Sequence, residues 1–303
     1  MGTPDFAAVT LTSLINSDHT VCGVISQPDK PVGRHFELKP TPVKKTALDA
    51  GINIYQPETL KNEAILPLLK ELSPDIIVVA AYGKILPEYI LNFPKYGCIN
   101  VHASLLPRYR GASPINACII NGDKKTGVTI MYMEKGLDTG DMIDKCETDI
   151  SDTETVETLH DRLALMGGEL LIKVLSDIEK GTATKTPQNN DEFTYAPLIK
   201  KPDCKIDFAL KTAHEVDCFV RGLYPFPGAH MIINGELFKV YGVKVLEDSG
   251  TPGKILSASQ KTGLVIACKE GAVEITDMLP QGKKRMTAKQ YLGGHTIDAS
   301  NAD

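Results

Sequence analysis

The sequence has no apolar run long enough to cross a bilayer, no CxxC pair and no basic-then-apolar leader. Its longest apolar stretches, such as the one around residues 76–81, fall far short of the ~20 residues a membrane-spanning helix needs. The missing leader argues against export. Seven cysteines (Cys22, Cys98, Cys118, Cys146, Cys204, Cys218, Cys268) are scattered and odd in number. That pattern disfavours a disulfide scaffold and a thiolate zinc site, and favours a reducing cytoplasm. A surplus of positive charge is also missing. Lys and Arg total 33 against 38 Asp and Glu, a net charge of -5, which argues against a generic nucleic-acid binder. The charge is uneven: from Lys201 onward 13 basic residues stand against 12 acidic ones. A local basic face on the second half is therefore compatible with an acidic total.

What is present is an ordinary globular composition, 42% hydrophobic and 23% charged, over 303 residues. That length exceeds what one compact core usually fills, so two domains are expected. Residues 21–26, 52–55, 76–81, 98–101 and 128–133 read as strands, with helical patterns at 6–14, 41–48, 64–72 and 114–120 between them. Thr41-Pro42 has the form of an N-cap followed by proline at the first helical position. Near-continuous apolar strands separated by helices predict a doubly wound, Rossmann-like α/β domain with a parallel sheet. Residues 152–178 form a long helical pattern, and the polar, aperiodic stretch after it suits a linker or surface loop. Beyond a helix at 213–221, short strand candidates at 229–233, 237–244, 253–257, 263–267 and 273–278 predict a small β-barrel. The expected division is a first domain at 1–180, a linker at 181–200 and a barrel domain at 201–303. The chain opens at a strand-to-helix turn with no strand residues before it. Either the fold lacks its first strand or the chain starts downstream of its natural start; the second is the favoured expectation.

The densest chemistry lies in the middle. Strand alternation puts Asn100 and His102 on one face, at the carboxyl end of a strand where open α/β sheets bind ligands. An Asn amide can donate to a developing oxyanion, and a His can accept a proton near neutral pH. The same pair is also compatible with a polar strand end bonded to nearby loops. The glycine-bounded loop at 136–141 supplies Asp138 and Asp141, and a carboxylate beside His102 would orient its ring and raise its basicity. Alone, that loop reads equally as an Asp-Gly turn. His102 and Asp138 lack a third ligand at convincing spacing, so no metal is expected.

These features coincide with ordered motifs: MGTPDFA at 1–7, QPDKPVGR at 27–34, LKPTPVK at 38–44, AAYGKILP at 80–87, GCINVH at 97–102 and SLLPRYRG at 104–111. TGVTIM at 126–131, GLDTGD at 136–141, LYPFPGA at 223–229 and GKKRM at 282–286 follow. Together they resemble the formyltetrahydrofolate-dependent formyltransferases over nearly the whole chain, and most closely the members acting on methionyl-tRNA. The resemblance implies a Rossmann-like catalytic domain, an OB-like C-terminal barrel and a monomer. It implies formyl transfer from 10-formyltetrahydrofolate to the α-amino group of methionine on initiator tRNA. Carried over by position, Asn100 polarises the formyl carbonyl, His102 handles protons, and Asp138 holds and tunes His102. The folate would lie against Ser104, Leu105, Leu106 and Pro107, with Lys84, Ile85, Leu86 and Gly136 lining the pterin pocket.

The resemblance also places tRNA contacts on the loop holding Arg34, Lys39, Lys44 and Lys45, and on the barrel cluster Lys283, Lys284 and Arg285. His35, Phe36 and Glu37 depart from the family's small and basic residues in that loop. Phe6 is a candidate wall for the methionyl side chain, with core packing as its alternative. Three other functions share the fold: a sugar-nucleotide N-formyltransferase, a folate hydrolase using water, and an RNA-binding protein that has lost catalysis.

Overall fold

The computed structural model describes residues 1–32, 37–297 and 301–302. Two compact units emerge. The first comprises Met1–Gly111, Thr126–Thr148 and His160–Ala196; the second comprises Ala112–Lys125, Asp149–Leu159 and Pro197–Asp303.

In the first unit, Val24–Ile25 pairs in parallel with Ile54–Tyr55, and Ile77–Val79 pairs in parallel with Cys98–His102. Met1 and Gly2 lie between these pairs. The Gly2 N–H donates to the Ile25 carbonyl at 3.0 Å, and the Ala80 N–H donates to the Met1 carbonyl at 3.0 Å. The position expected for a first strand thus carries these two residues, directly before the Asp5–Ile15 helix. Beside them opens a cavity of about 610 Å³, lined by Val24, Leu72, Ile77, Leu175 and Ile178 among others. Lys125–Tyr132 runs antiparallel to Cys98–His102, and Met142–Asp149 completes a four-stranded sheet. An antiparallel edge on an otherwise parallel sheet is common in doubly wound folds. Met142–Asp149 escaped the sequence reading because only Ile143 in it is buried, so no apolar run marks it.

Ile99 and Val101 point into the core, which leaves Asn100 and His102 on the opposite face of the same strand. The Pro42–Asp49 helix is capped as expected: Thr41 accepts from the Lys44 N–H at 3.1 Å, an interaction typically worth about 1 kcal/mol. Between the Val24–Ile25 strand and this helix, Lys30–Val32 and Glu37–Lys39 pair in antiparallel fashion.

The second unit holds an antiparallel sheet of Ala229–Ile233, Glu236–Leu246, Ala272–Pro280, Gly263–Ala267 and Ile255–Ser259, in that spatial order, with Met286–Thr287 on Ala272–Pro280. Its core gathers Ile206, Phe208, Val216, Met231, Phe238 and Ile266. The Ala213–Gly222 helix starts with a capping box between Thr212 and Glu215. Among the described residues, no helix is long and apolar enough to cross a membrane.

Candidate active site

Cys98–His102 ends in the loop that carries the site. His102 is buried, and its Nε2 lies 2.9 Å from the Tyr109 carbonyl oxygen. A carbonyl only accepts, so Nε2 carries the proton. Nδ1 then faces Asp138 Oδ2 at 3.8 Å, beyond hydrogen-bond length and within ion-pair range. Asp138 Oδ2 also accepts from the Gly111 N–H at 2.8 Å. Two positions earlier on the strand, Asn100 is half-buried and makes no side-chain hydrogen bond among the described residues. Its amide is open to a ligand beside the imidazole.

The loops around this centre are held in unusual backbone conformations. Tyr109 and Asp138 have φ of 60° and 52°, in the left-handed region that non-glycine residues seldom adopt. Gly140 is required where it stands, because a Cβ there would collide with the Tyr132 carbonyl oxygen. Ser104 donates to the Arg108 carbonyl at 2.6 Å, while Thr129 donates to the Ser104 carbonyl at 2.7 Å and accepts from the Leu106 N–H at 3.2 Å. These bonds shape 104–107 into a fixed turn against Lys125–Tyr132.

The other expected folate residues occupy varied positions. Leu86 and Leu106 are buried, Leu86 in the core with Ile90 and Cys98, whereas Leu105 and Pro107 are half-buried. Lys84 donates to the carbonyls of Pro57 and Glu58. Ile85 is 86% exposed, and Leu137, next to the exposed Gly136, is 53% exposed. An ion pair of 3.1 Å joins Lys135, beside Gly136, to Glu88 at the start of the Glu88–Leu91 helix that follows Ile85. Just before Lys84, the Tyr82 hydroxyl is buried with no hydrogen-bond partner among the described residues, and burial pushes its pKa up to about 12.

The basic candidates divide. Arg34 lies outside the described residues, as do His35 and Phe36. Lys39 pairs with Lys30 on the neighbouring strand and, like Lys45, is exposed. Lys44 is engaged with Asp29 at 2.5 Å and Gln56 at 2.8 Å. Lys284 is exposed, and Lys283 lies 3.0 Å from His295 Nε2. Arg285 is held by Asp277 at 2.6 Å and lies over the rings of Tyr224 and Tyr241. Phe6 is buried, edge-on to His160 at 5.7 Å between ring centroids. One cluster with metal-ligand chemistry occurs among the described residues, His214, Asp217 and Cys218, but Arg221 donates to both Asp217 and Cys218.

A family model described as formyl transferase matches residues 1–175, and one described as formyl transferase, C-terminal domain, matches residues 198–296. The chain belongs to the formyl transferase family. A methionyl-tRNA formyltransferase of Macrococcus caseolyticus is 49% identical over 97% of this chain and 94% of its own length. Among solved structures, an N-formyltransferase from Helicobacter canadensis in complex with folinic acid and dTDP-3-aminofucose superposes with a TM-score of 0.66 at 19% identity, covering 92% of this chain and 97% of that one. HypX from Aquifex aeolicus, in complex with tetrahydrofolic acid, gives a TM-score of 0.60 at 18% identity, covering 81% of this chain; this formyl transferase spans 43% of HypX. At such identities the structural likeness shows the shared fold.

The sequence reading missed the polar segment that closes the site. Thr194 accepts from the Tyr109 N–H at 2.8 Å through its hydroxyl, and from the Arg110 N–H at 2.9 Å through its carbonyl. Tyr195–Ala196 pairs in parallel with Arg110–Gly111. Only the lack of periodicity marked this stretch, and that signal is the same for a solvated linker and for a wall built from side-chain hydrogen bonds.

Proposed function

We propose that this formyl transferase moves the formyl group of 10-formyltetrahydrofolate to the α-amino group of methionine on initiator tRNA, giving formylmethionyl-tRNA for translation initiation. The observation that carries this reading is the 49% identity to a methionyl-tRNA formyltransferase over 97% of the chain, through both domains. The N-formyltransferase solved with an amino-sugar nucleotide shares the fold at 19% identity.

The chain's own residues fit the co-substrate. Asn100 offers an amide with no hydrogen-bond partner among the described residues, and the exposed Ile85 and Leu137 offer apolar surface to a flat heterocycle. In the proposed mechanism the methionyl amine attacks the formyl carbon, and Asn100 Nδ2 donates to the oxygen as it becomes an oxyanion. The C–N bond to the folate then breaks. His102 takes the proton lost by the amine and delivers it to the leaving nitrogen, so that one proton moves and no net charge is created. The Tyr109 carbonyl holds the ring through Nε2, and Asp138 beside Nδ1 stabilises the transient imidazolium.

We assign formyl transfer to the domain expected at residues 1–180, to whose site the segment expected as linker at 181–200 adds Gln188 and Thr194, and 201–303 to the OB-like domain. Phosphate contacts with tRNA fall to Arg34, Lys39, Lys45, Lys283 and Lys284 ahead of Lys44 and Arg285, whose charges already meet Asp29 and Asp277. On this reading the protein works in the cytoplasm as a monomer.

The deciding assay incubates 10-formyltetrahydrofolate with methionyl-initiator-tRNA and with a dTDP-amino sugar in parallel, using wild type and His102→Ala. Formylmethionyl-tRNA from wild type alone is the expected result. Formylated sugar with untouched tRNA would move the protein to the sugar-modifying reaction.

A further inference from the structure

Gln188 is the side chain on which the loops around Asp138 converge. It is 8% exposed, in the polar segment that follows the long helix. Its Nε2 donates to the carbonyls of Asp138 and Gly140, both at 2.8 Å, and its Oε1 accepts from Arg110 Nε at 2.9 Å. Arg110, itself 6% exposed, donates through Nη2 to Asn190 Oδ1 at 2.9 Å. Each partner has a single role, since carbonyls only accept and guanidinium only donates. The amide orientation is therefore fixed, and both of its N–H donors are used.

These bonds act on the two segments that define the Asp138 carboxylate. One is the loop of Asp138 itself, held at φ 52°; the other is Arg110–Gly111, whose Gly111 N–H donates to that carboxylate. A left-handed non-glycine residue persists only where its surroundings over-determine it. We propose that Gln188 is a positioning residue for the formyl transfer reaction, fixing Asp138 against His102 by clamping the Asp138 loop and Arg110 with one amide. The inference rests on the function proposed above, because only a reaction using His102 and Asp138 makes this placement matter.

Two variants separate the parts of the clamp. Gln188→Met keeps the length and removes the bonds to Asp138, Gly140 and Arg110. Gln188→Glu keeps an acceptor for Arg110 and turns an oxygen on the two carbonyls. Both should lower kcat by on the order of 10- to 100-fold, as for small displacements of reacting groups. KM for folate and for methionyl-tRNA should stay within about threefold, and the limb of the pH–rate profile belonging to the His102–Asp138 pair should move. In an Asp138→Asn background, Gln188→Met should change kcat by less than about twofold, since the group being positioned has lost its charge. A full multiplicative loss in that background would overturn the proposal. Hydrogen exchange gives a readout independent of turnover: amides of 136–141 and Gly111 should lose protection selectively in Gln188→Met, and unchanged protection there overturns the clamp. Should wild type formylate no methionyl-tRNA, the functional reading fails while the exchange measurement still decides whether Gln188 holds Asp138.

Discussion

His102 Nδ1, at the end of the Cys98–His102 strand, and Asp138 Oδ2, on the loop after Lys125–Tyr132, stand 3.8 Å apart, with the other ring nitrogen of His102 held by the Tyr109 carbonyl. That bond turns the Nδ1 edge of the ring toward a carboxylate, which on the proposed mechanism stabilises the ring as it takes up a proton. Asp138→Asn retains an acceptor for the Gly111 N–H and suits a positive φ, so the fold should survive while kcat falls roughly 100- to 10,000-fold. Asn100→Ala should cost on the order of 3 kcal/mol of transition-state stabilisation with little change in Tm. Turnover near wild type in either variant would remove that residue from the chemistry.

Tyr82 predicts a gain. Its hydroxyl is buried without a partner among the described residues, so the folded protein bears a desolvation penalty for it. Tyr82→Phe should leave stability unchanged or raise it by up to about 1 kcal/mol in denaturant titration. A loss of more than that would mean the hydroxyl is satisfied.

Asp29 sets a pH dependence in the first unit. The hydrogen bonds from Lys44 and Gln56 hold its carboxyl below the ordinary value of 3.8. A depressed carboxylate contributes stability that is fully present above its unfolded pKa and lost as pH falls through its folded one. Asp29→Asn should therefore melt below wild type at pH 7, and the gap should close as pH drops below 3.8. A gap independent of pH would assign the effect to packing.

Basic residues of the second unit should separate by role. Alanine at Lys283 or Lys284 should raise KM for tRNA and reduce the slope of log affinity against log salt by about one for each phosphate left without its cation. Arg285→Ala should instead lower Tm, since Arg285 bridges Asp277 and the rings of Tyr224 and Tyr241. A salt slope altered only by Arg285→Ala would reverse these assignments.

The sequence by itself determined the layers of this protein and which strand face carries Asn100 and His102. Apolar runs at 76–81 and 98–101 specify buried strands, Thr41-Pro42 specifies a helix start, and period-two alternation puts Asn100 and His102 on one face. Those are local signals, written within a few residues of where they act. The tertiary structure alone decided which charges are committed and what holds the Asp138 loop. Lys44 and Lys45 are adjacent in sequence, yet one meets Asp29 and the other is exposed. Gln188 reads as one more polar residue in an aperiodic stretch until folding carries it to carbonyls 48 and 50 positions away. Hydrogen bonds between loops have no period and no composition, so their partners exist only once the chain has closed around them.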